Sequence, residues 1–303
     1  MLLSATSKVA KINFHQYSFQ LKGELGVLAI KDAIDAGYRL FDTAFLYGNE
    51  GIVGQAISEK ISEGVVTRKE IFIVAKLWGI HHEQVERACR ETCRRLNVDY
   101  VDLYLFHFPV SFKYHSDEDK WPKTEDNLDK DYLVVWREME KLVGLGLTKD
   151  IGLSNFNGEQ IRRVYDNSAI KPKFHEMEFH PAFCRFDLLK LCKDLEIEVL
   201  AYCPLGRHKP EKQEPKFLYD LKVREIAEKY GKSTAQVALR FAIQCGAIPI
   251  PKSATKTRIE ENANVFDFQL NEAEMNFMKT FHSVDNQICK FHFAQGSKFY
   301  PFV

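Results

Sequence analysis

Eight short apolar runs of strand length alternate strictly with segments of helical periodicity, and no Pro/Gly/Ser-rich linker interrupts the 303 residues. Together these observations predict an α/β chain whose parallel strands close into one (β/α)8 barrel with long loops at its C-terminal face. Length alone allows two small domains, but the unbroken alternation and the lack of an internal repeat favour a single domain over residues 1–303. An open doubly wound sheet fits less well, because no G-x-G-x-x-G follows an early strand.

The expected strands are residues 38–42, 71–76, 101–107, 150–154, 173–178, 197–202, 247–250 and 264–268. Between them lie amphipathic stretches such as Val85, Ala88, Cys89, Thr92 and Leu96, whose spacing puts one apolar stripe along a helix. Ser233 with Gln236 and Asn271 with Glu274 have the spacing of capping boxes, and Gly37, Gly231 and Gly246 suit helix C-terminal ends. Three segments, 109–130, 205–217 and 281–303, exceed ordinary connections, and long loops on a rigid barrel commonly carry binding function. The first holds Trp121, and the last is rich in Phe and Tyr, which suits the wall of an apolar pocket.

Composition narrows the function. A hydrophobic content of 45% fills a sizeable core and excludes a disordered chain. Lys and Arg number 42 and so do Asp and Glu, so neither a nucleic-acid nor a membrane partner is expected. With no apolar run of membrane-spanning length and an N-terminus that soon turns polar, a cytoplasmic protein is expected; a monomer is the expected oligomeric state. Seven cysteines without a C-x-x-C pair make neither a disulfide framework nor a zinc knuckle, and no metal is expected.

Placed on this strand map, the polar residues converge. Asp42 ends the first expected strand with Tyr47 just beyond, Lys76 ends the second and His107 the third. Ser154 and Asn155 follow at the fourth, Glu176 and Glu178 lie on the fifth, Tyr202 ends the sixth, and Lys252 and Ser253 follow the seventh. In a parallel barrel all these ends share one face, where active sites are built. A lysine inside a barrel needs a counter-charge, for which Asp42 is the partner at hand, and an ammonium beside Tyr47 favours its phenolate and so makes the phenol a better proton donor. His107 suits orientation of a carbonyl oxygen through one ring nitrogen.

The segments GYRLFDTA (37–44), YGNE (47–50), VAKLW (74–78), LFHFP (105–109), GLSNFN (152–157), AYCPLG (201–206), IPKS (250–253) and RIEEN (258–262) stand in the order and spacing of the aldo-keto reductase superfamily. From about residue 18 to the C-terminus the chain resembles that superfamily. The resemblance implies a catalytic tetrad of Asp42, Tyr47, Lys76 and His107, with Tyr47 as general acid, and hydride transfer from NADPH to an aldehyde or ketone without metal. It implies that Tyr202 stacks on the nicotinamide while Ser154, Asn155 and Glu176 serve its carboxamide. Lys252, Ser253, Arg258, Glu261 and Asn262 would grip the adenosine 2′-phosphate and adenine, with further cofactor contacts from Ser18, Cys203, Leu205, Ala254 and Thr255. Phe19, Trp78, Phe108 and Trp121 would line the substrate pocket, favouring an apolar carbonyl such as a steroid, terpenoid or lipid aldehyde over a sugar.

Four departures from the superfamily pattern stand out. Tyr17-Ser18-Phe19 replaces a Gly-Thr-Trp segment, Phe108 replaces a Trp, Glu176 replaces a carboxamide-binding Gln, and Lys209 lies near a usually acidic position of the cofactor-fastening loop. Competing readings are a Schiff-base aldolase using Lys76 and a non-catalytic barrel subunit that senses NADPH. A metal hydrolase drawing on His81, His82, His175 and His180 is weaker still, since their spacing gives neither H-x-H nor H-E-x-x-H.

Overall fold

The computed structural model describes residues 15–17 and 23–302. The chain runs β1 (His15–Tyr17), α1 (Gly23–Asp35), β2 (Leu40–Asp42), α2 (Glu50–Ser62), β3 (Phe72–Leu77), α3 (Val85–Leu96) and β4 (Val101–Phe106). A small hairpin of β5 (Ser111–Phe112) and β6 (Asn127–Leu128) follows, then α4 (Tyr132–Gly144), β7 (Thr148–Ser154), α5 (Gly158–Asn167), β8 (Phe174–Glu178), α6 (Phe186–Asp194) and β9 (Glu198–Tyr202). Helices α7 (Leu221–Tyr230) and α8 (Thr234–Gln244), strand β10 (Ala247–Ile250), and helices α9 (Lys256–Ala263) and α10 (Glu272–Lys279) complete the order.

Eight strands form one sheet in the order β1-β2-β3-β4-β7-β8-β9-β10, every pairing parallel, and β10 returns beside β1 to bring the sheet nearly to a closed barrel. Side chains on a strand alternate between its two faces, so a period of two sorts each strand into barrel interior and helix-facing shell. Leu40, Phe72, Val74, Leu103, Leu105, Phe174 and Leu200 form the interior cluster. The opposite parity, with Phe41, Ile73, Ala75, Tyr104, Ile151, Met177 and Ala201, joins the helices in the larger outer core. Where two interior-facing backbones crowd together, Gly152 is required, because a Cβ there would stand 2.5 Å from the Phe174 carbonyl oxygen and 2.8 Å from Leu105 Cδ2.

Both expected capping boxes form, with Ser233 and Gln236 opening α8 and Asn271 and Glu274 opening α10. Gly231 ends α7 in the left-handed conformation, at φ 63°, that a glycine adopts without a Cβ penalty. One expected strand is corrected. Residues 264–268 are not a strand, and β1 takes the eighth place in the sheet. The carbonyls of Asn264 and Val265 accept from side chains instead, from Lys232 Nζ (3.1 Å) and Gln236 Nε2 (2.8 Å) and from Arg240 Nη1 (3.3 Å) respectively. Val265 and Phe268 are buried against the helices rather than in the barrel.

Candidate active site

Extending the interior parity by one step past the last apolar layer gives Asp42 after Leu40, Lys76 after Val74, His107 after Leu105, Ser154 after Gly152, Glu176 after Phe174 and Tyr202 after Leu200. These six polar side chains therefore cap the barrel interior at the C-terminal ends of the strands. Asp42, Lys76, Ser154 and Glu176 are essentially without solvent contact, and His107 and Tyr202 nearly so.

At the centre lies Lys76. Its ammonium donates to Asp42 Oδ2, approaches Tyr47 OH at 3.3 Å, and stands 3.2 Å from Glu176 Oε2. Tyr47 closes a short 3-10 helix, Phe45–Tyr47, just past β2, so the loop turns the phenol back over the strand end. Its ring meets that of His107 edge-on at 5.7 Å, and the Trp78 ring also meets His107 edge-on, at 5.1 Å. Burial, with the Lys76 charge adding to it, holds the His107 imidazole well below its usual pKa, so the ring is neutral at pH 7. Burial pushes the carboxyls of Asp42 and Glu176 upward. The shift is large at Glu176, where the Asp42 charge adds to burial, while Lys76 opposes burial at both.

Beside this cluster, Asn155 adopts φ 61°, a left-handed conformation that Asn tolerates, and this turns its side chain inward. Its Nδ2 donates to the His107 carbonyl oxygen and to Ser154 Oγ, both at 3.0 Å, and its Oδ1 accepts from Tyr202 OH at 2.6 Å. Cys203 follows in the same left-handed region, at φ 51°, where the chain leaves the barrel toward the half-buried Leu205. His175, of the opposite parity, faces away from Glu176 and accepts from the Phe156 N–H at 3.3 Å, with burial pressing its pKa down to about 3.

Past β10, exposed Lys252, Ala254 and Thr255 and half-buried Ser253 lead into α9, on which Arg258 and Glu261 are exposed and Asn262 is buried. Thr255 occupies the N-cap position of α9 but makes no capping bond with its side chain, and the Ser253 hydroxyl accepts from the Thr255 N–H at 3.1 Å instead. Lys252 and Arg258 thus flank the N-terminus of α9 in sequence, the end at which a helix presents its backbone N–H groups.

An aromatic wall covers the site. Trp78 is fully buried and donates from Nε1 to the Lys120 carbonyl at 2.8 Å, tying the 109–130 segment to the end of β3. Phe108 packs on Phe291 at 4.7 Å, and Trp121, 54% exposed, stands between Trp78 at 6.5 Å and Phe293 at 6.3 Å. Sequence reasoning identified the tail as a wall but missed its latch. Buried Glu178, next in interior parity after Glu176, accepts from the N–H groups of Ile288 at 2.7 Å and Cys289 at 2.8 Å. That shared parity was the signal available in the sequence. Ser18 and Phe19 lie outside the described residues. Lys209 forms a surface ion pair with Glu214 at 3.5 Å, within its own loop.

The histidines weighed as metal ligands turn to separate partners, His81 to Asp117, His82 to Ser111 and His180 to Glu178, and the described residues contain no group of three or more potential ligands. No helix among the described residues is long and apolar enough to cross a membrane.

A family profile described as "Aldo/keto reductase family" matches residues 17–282. The chain is 42% identical over 259 residues to aldo-keto reductase AKR2E4 of Bombyx mori, covering 84% of this chain and 81% of that protein. It is also 42% identical over 262 residues to aldo-keto reductase family 1 member A1 of Xenopus tropicalis, covering 82% and 79% respectively. Among solved structures, the aldose reductase of Schistosoma japonicum superposes with a TM-score of 0.86 at 35% identity, covering 96% of this chain and 94% of that one. The Bombyx mori AKR2E4 structure in complex with NADP gives the same TM-score at 37% identity and the same coverage. The barrel, its ring of polar strand ends and these likenesses agree that the chain belongs to the aldo/keto reductase family.

Proposed function

We propose that this chain is an NADPH-dependent carbonyl reductase, a single-domain monomer that reduces an apolar aldehyde or ketone to its alcohol with Tyr47 as general acid. What carries this reading is the contact of Tyr47 OH with a wholly buried Lys76 that is itself charge-paired to Asp42. An ammonium 3.3 Å from the phenol oxygen stabilises the phenolate left after proton donation, and Asp42 supplies its counter-charge inside the barrel. Neutral His107, beside Tyr47, serves as hydrogen-bond donor to the carbonyl oxygen and fixes which oxygen lone pair meets the phenol.

The site also fits the cofactor. Asn155, Ser154 and Tyr202 form one hydrogen-bonded set at the strand ends, suited to an amide and an aromatic ring. Lys252, Arg258 and the start of α9 suit the 2′-phosphate that distinguishes NADPH from NADH. When bound, the reduced nicotinamide supplies the hydride. The Trp78, Phe108 and Phe291 wall excludes water and offers apolar surface, which favours a lipid-like, steroid or terpenoid carbonyl over a sugar. A Schiff-base aldolase is disfavoured, because the Lys76 amine is wholly buried and occupied by Asp42 and Glu176 rather than open to a carbonyl carbon.

The test is turnover of a panel of aldehydes and ketones with NADPH and with NADH, in wild type and Arg258→Ala. We expect turnover with NADPH, best on apolar carbonyls. In the variant the dissociation constant for NADPH should rise roughly tenfold to a hundredfold, with little change for NADH. Equal losses for both nucleotides would put the phosphate site elsewhere.

A further inference from the structure

Two carboxyls converge on the one ammonium of Lys76, and all three groups are buried: Asp42 and Lys76 at 0% exposure and Glu176 at 1%. If both acids were ionised, the cluster would carry a net negative charge shielded from bulk solvent, which proteins avoid by keeping a proton on one acid. Neighbouring groups do not change this balance. Across the strand pairings Glu176 meets Ser154 of β7 and Leu200 of β9, and the groups that bear on its charge are Asp42 from β2 and Lys76 from β3. His107, facing Lys76 from beyond β4, is neutral, and His175 on the same strand turns outward to the Phe156 N–H. Asp42 is the acid in contact with the ammonium as a hydrogen-bond acceptor, and Glu176 lies within hydrogen-bonding reach of Asp42.

We propose that Glu176 is the proton store of this site: it carries a proton while the bound nicotinamide is reduced and releases it by way of Lys76 toward Tyr47 as the ring becomes oxidised. This rests on the reading of the site as a nicotinamide-dependent reductase. Lys76 Nζ is the shared neighbour, 3.3 Å from Tyr47 OH on one side and 3.2 Å from Glu176 Oε2 on the other. The transfer balances. The carbonyl carbon gains the hydride, its oxygen takes the Tyr47 proton as the C=O double bond becomes a single bond, Tyr47 takes a proton from Lys76, and Lys76 takes one from Glu176. One hydride from the reduced nicotinamide and one proton from Glu176 thus give the alcohol. The new Glu176 carboxylate matches the new positive charge of the nicotinamide, so the enclosed site is neutral before and after. A hydride donor to the carbon whose oxygen takes the Tyr47 proton must lie beside Tyr47, so that positive charge arises close to the buried Lys76 cluster, where opposite charges interact more strongly than in bulk water. A glutamine in this place would keep the hydrogen-bonding shape but hold no transferable proton.

Isothermal titration calorimetry of the full chain with NADP+ and with NADPH, each in buffers of different ionisation enthalpy near neutral pH, counts the protons exchanged on binding. The 2′-phosphate and adenine contribute equally to both and cancel in the difference. We expect NADP+ binding to release about one proton more than NADPH binding, and Glu176→Gln to bind both nucleotides with that difference gone. Equal proton counts in the wild type, or a difference that survives in Glu176→Gln, would overturn the proposal while leaving the reductase reading in place. Failure of both nucleotides to bind the wild type would overturn both. The wild-type comparison decides even if the variant does not fold.

Discussion

Lys76, Asp42 and Glu176 show how far single residues could be read from sequence. A buried ammonium demanded an acid, and Asp42 at the neighbouring strand end was the evident one. The 3.2 Å approach of Glu176 was not evident, because a period of two tells which face of a strand a residue joins, not which neighbour it meets across the barrel. The same period argues against pairing Glu176 with His175, since adjacent residues on a strand face opposite ways. The burial of Glu176 has a consequence for stability. Its carboxyl is raised well above its ordinary value of 4.5, so the native state holds a proton that the unfolded chain has lost. That contribution is fully present below the ordinary value and is lost as pH rises through the raised one. Calorimetric melting from about pH 5 to about pH 8 should therefore show the wild type losing ground steadily to Glu176→Gln. Parallel melting curves for the two proteins over that range would contradict the protonated Glu176.

At the scale of elements, seven of the eight expected strands lie in the barrel, because buried parallel strands leave a strong apolar signal that their flanking helices frame. The eighth shows where that signal misleads. Residues 264–268 carry apolar Val265, Phe266 and Phe268, yet Lys232, Gln236 and Arg240 of the preceding segments take its carbonyls, a contest among side chains that periodicity cannot register. The three-residue β1 is too short to show a period. The close approach of β7 and β8 makes a sharper claim. Gly152→Ala would drive a Cβ against the Phe174 carbonyl, backbone against backbone, so the strands would have to part. We expect a loss of about 1 to 3 kcal/mol in denaturant unfolding. An unchanged midpoint would mean that the two strands do not approach so closely.

For the whole molecule, parallel order and interior parity together explain why residues spread from Asp42 to Tyr202 meet in one place. Each ends an interior row, and all rows end at the same face. That much followed from the sequence once the strands were placed. The wall over the site followed less fully, since the route of the 281–303 segment depends on distant anchors such as Glu178 and on the Phe299 carbonyl, which accepts from Gln160 Nε2 at 2.8 Å. The central claim is that the barrel gathers these residues so that Tyr47 protonates a carbonyl. Its most direct test is rapid-mixing measurement of NADPH oxidation by an aldehyde in wild type and Tyr47→Phe, with nucleotide affinity measured alongside. We expect the variant to bind NADPH as the wild type does and to oxidise it at least about 10²-fold more slowly. Near-normal oxidation in the variant would remove Tyr47 from its role as the acid.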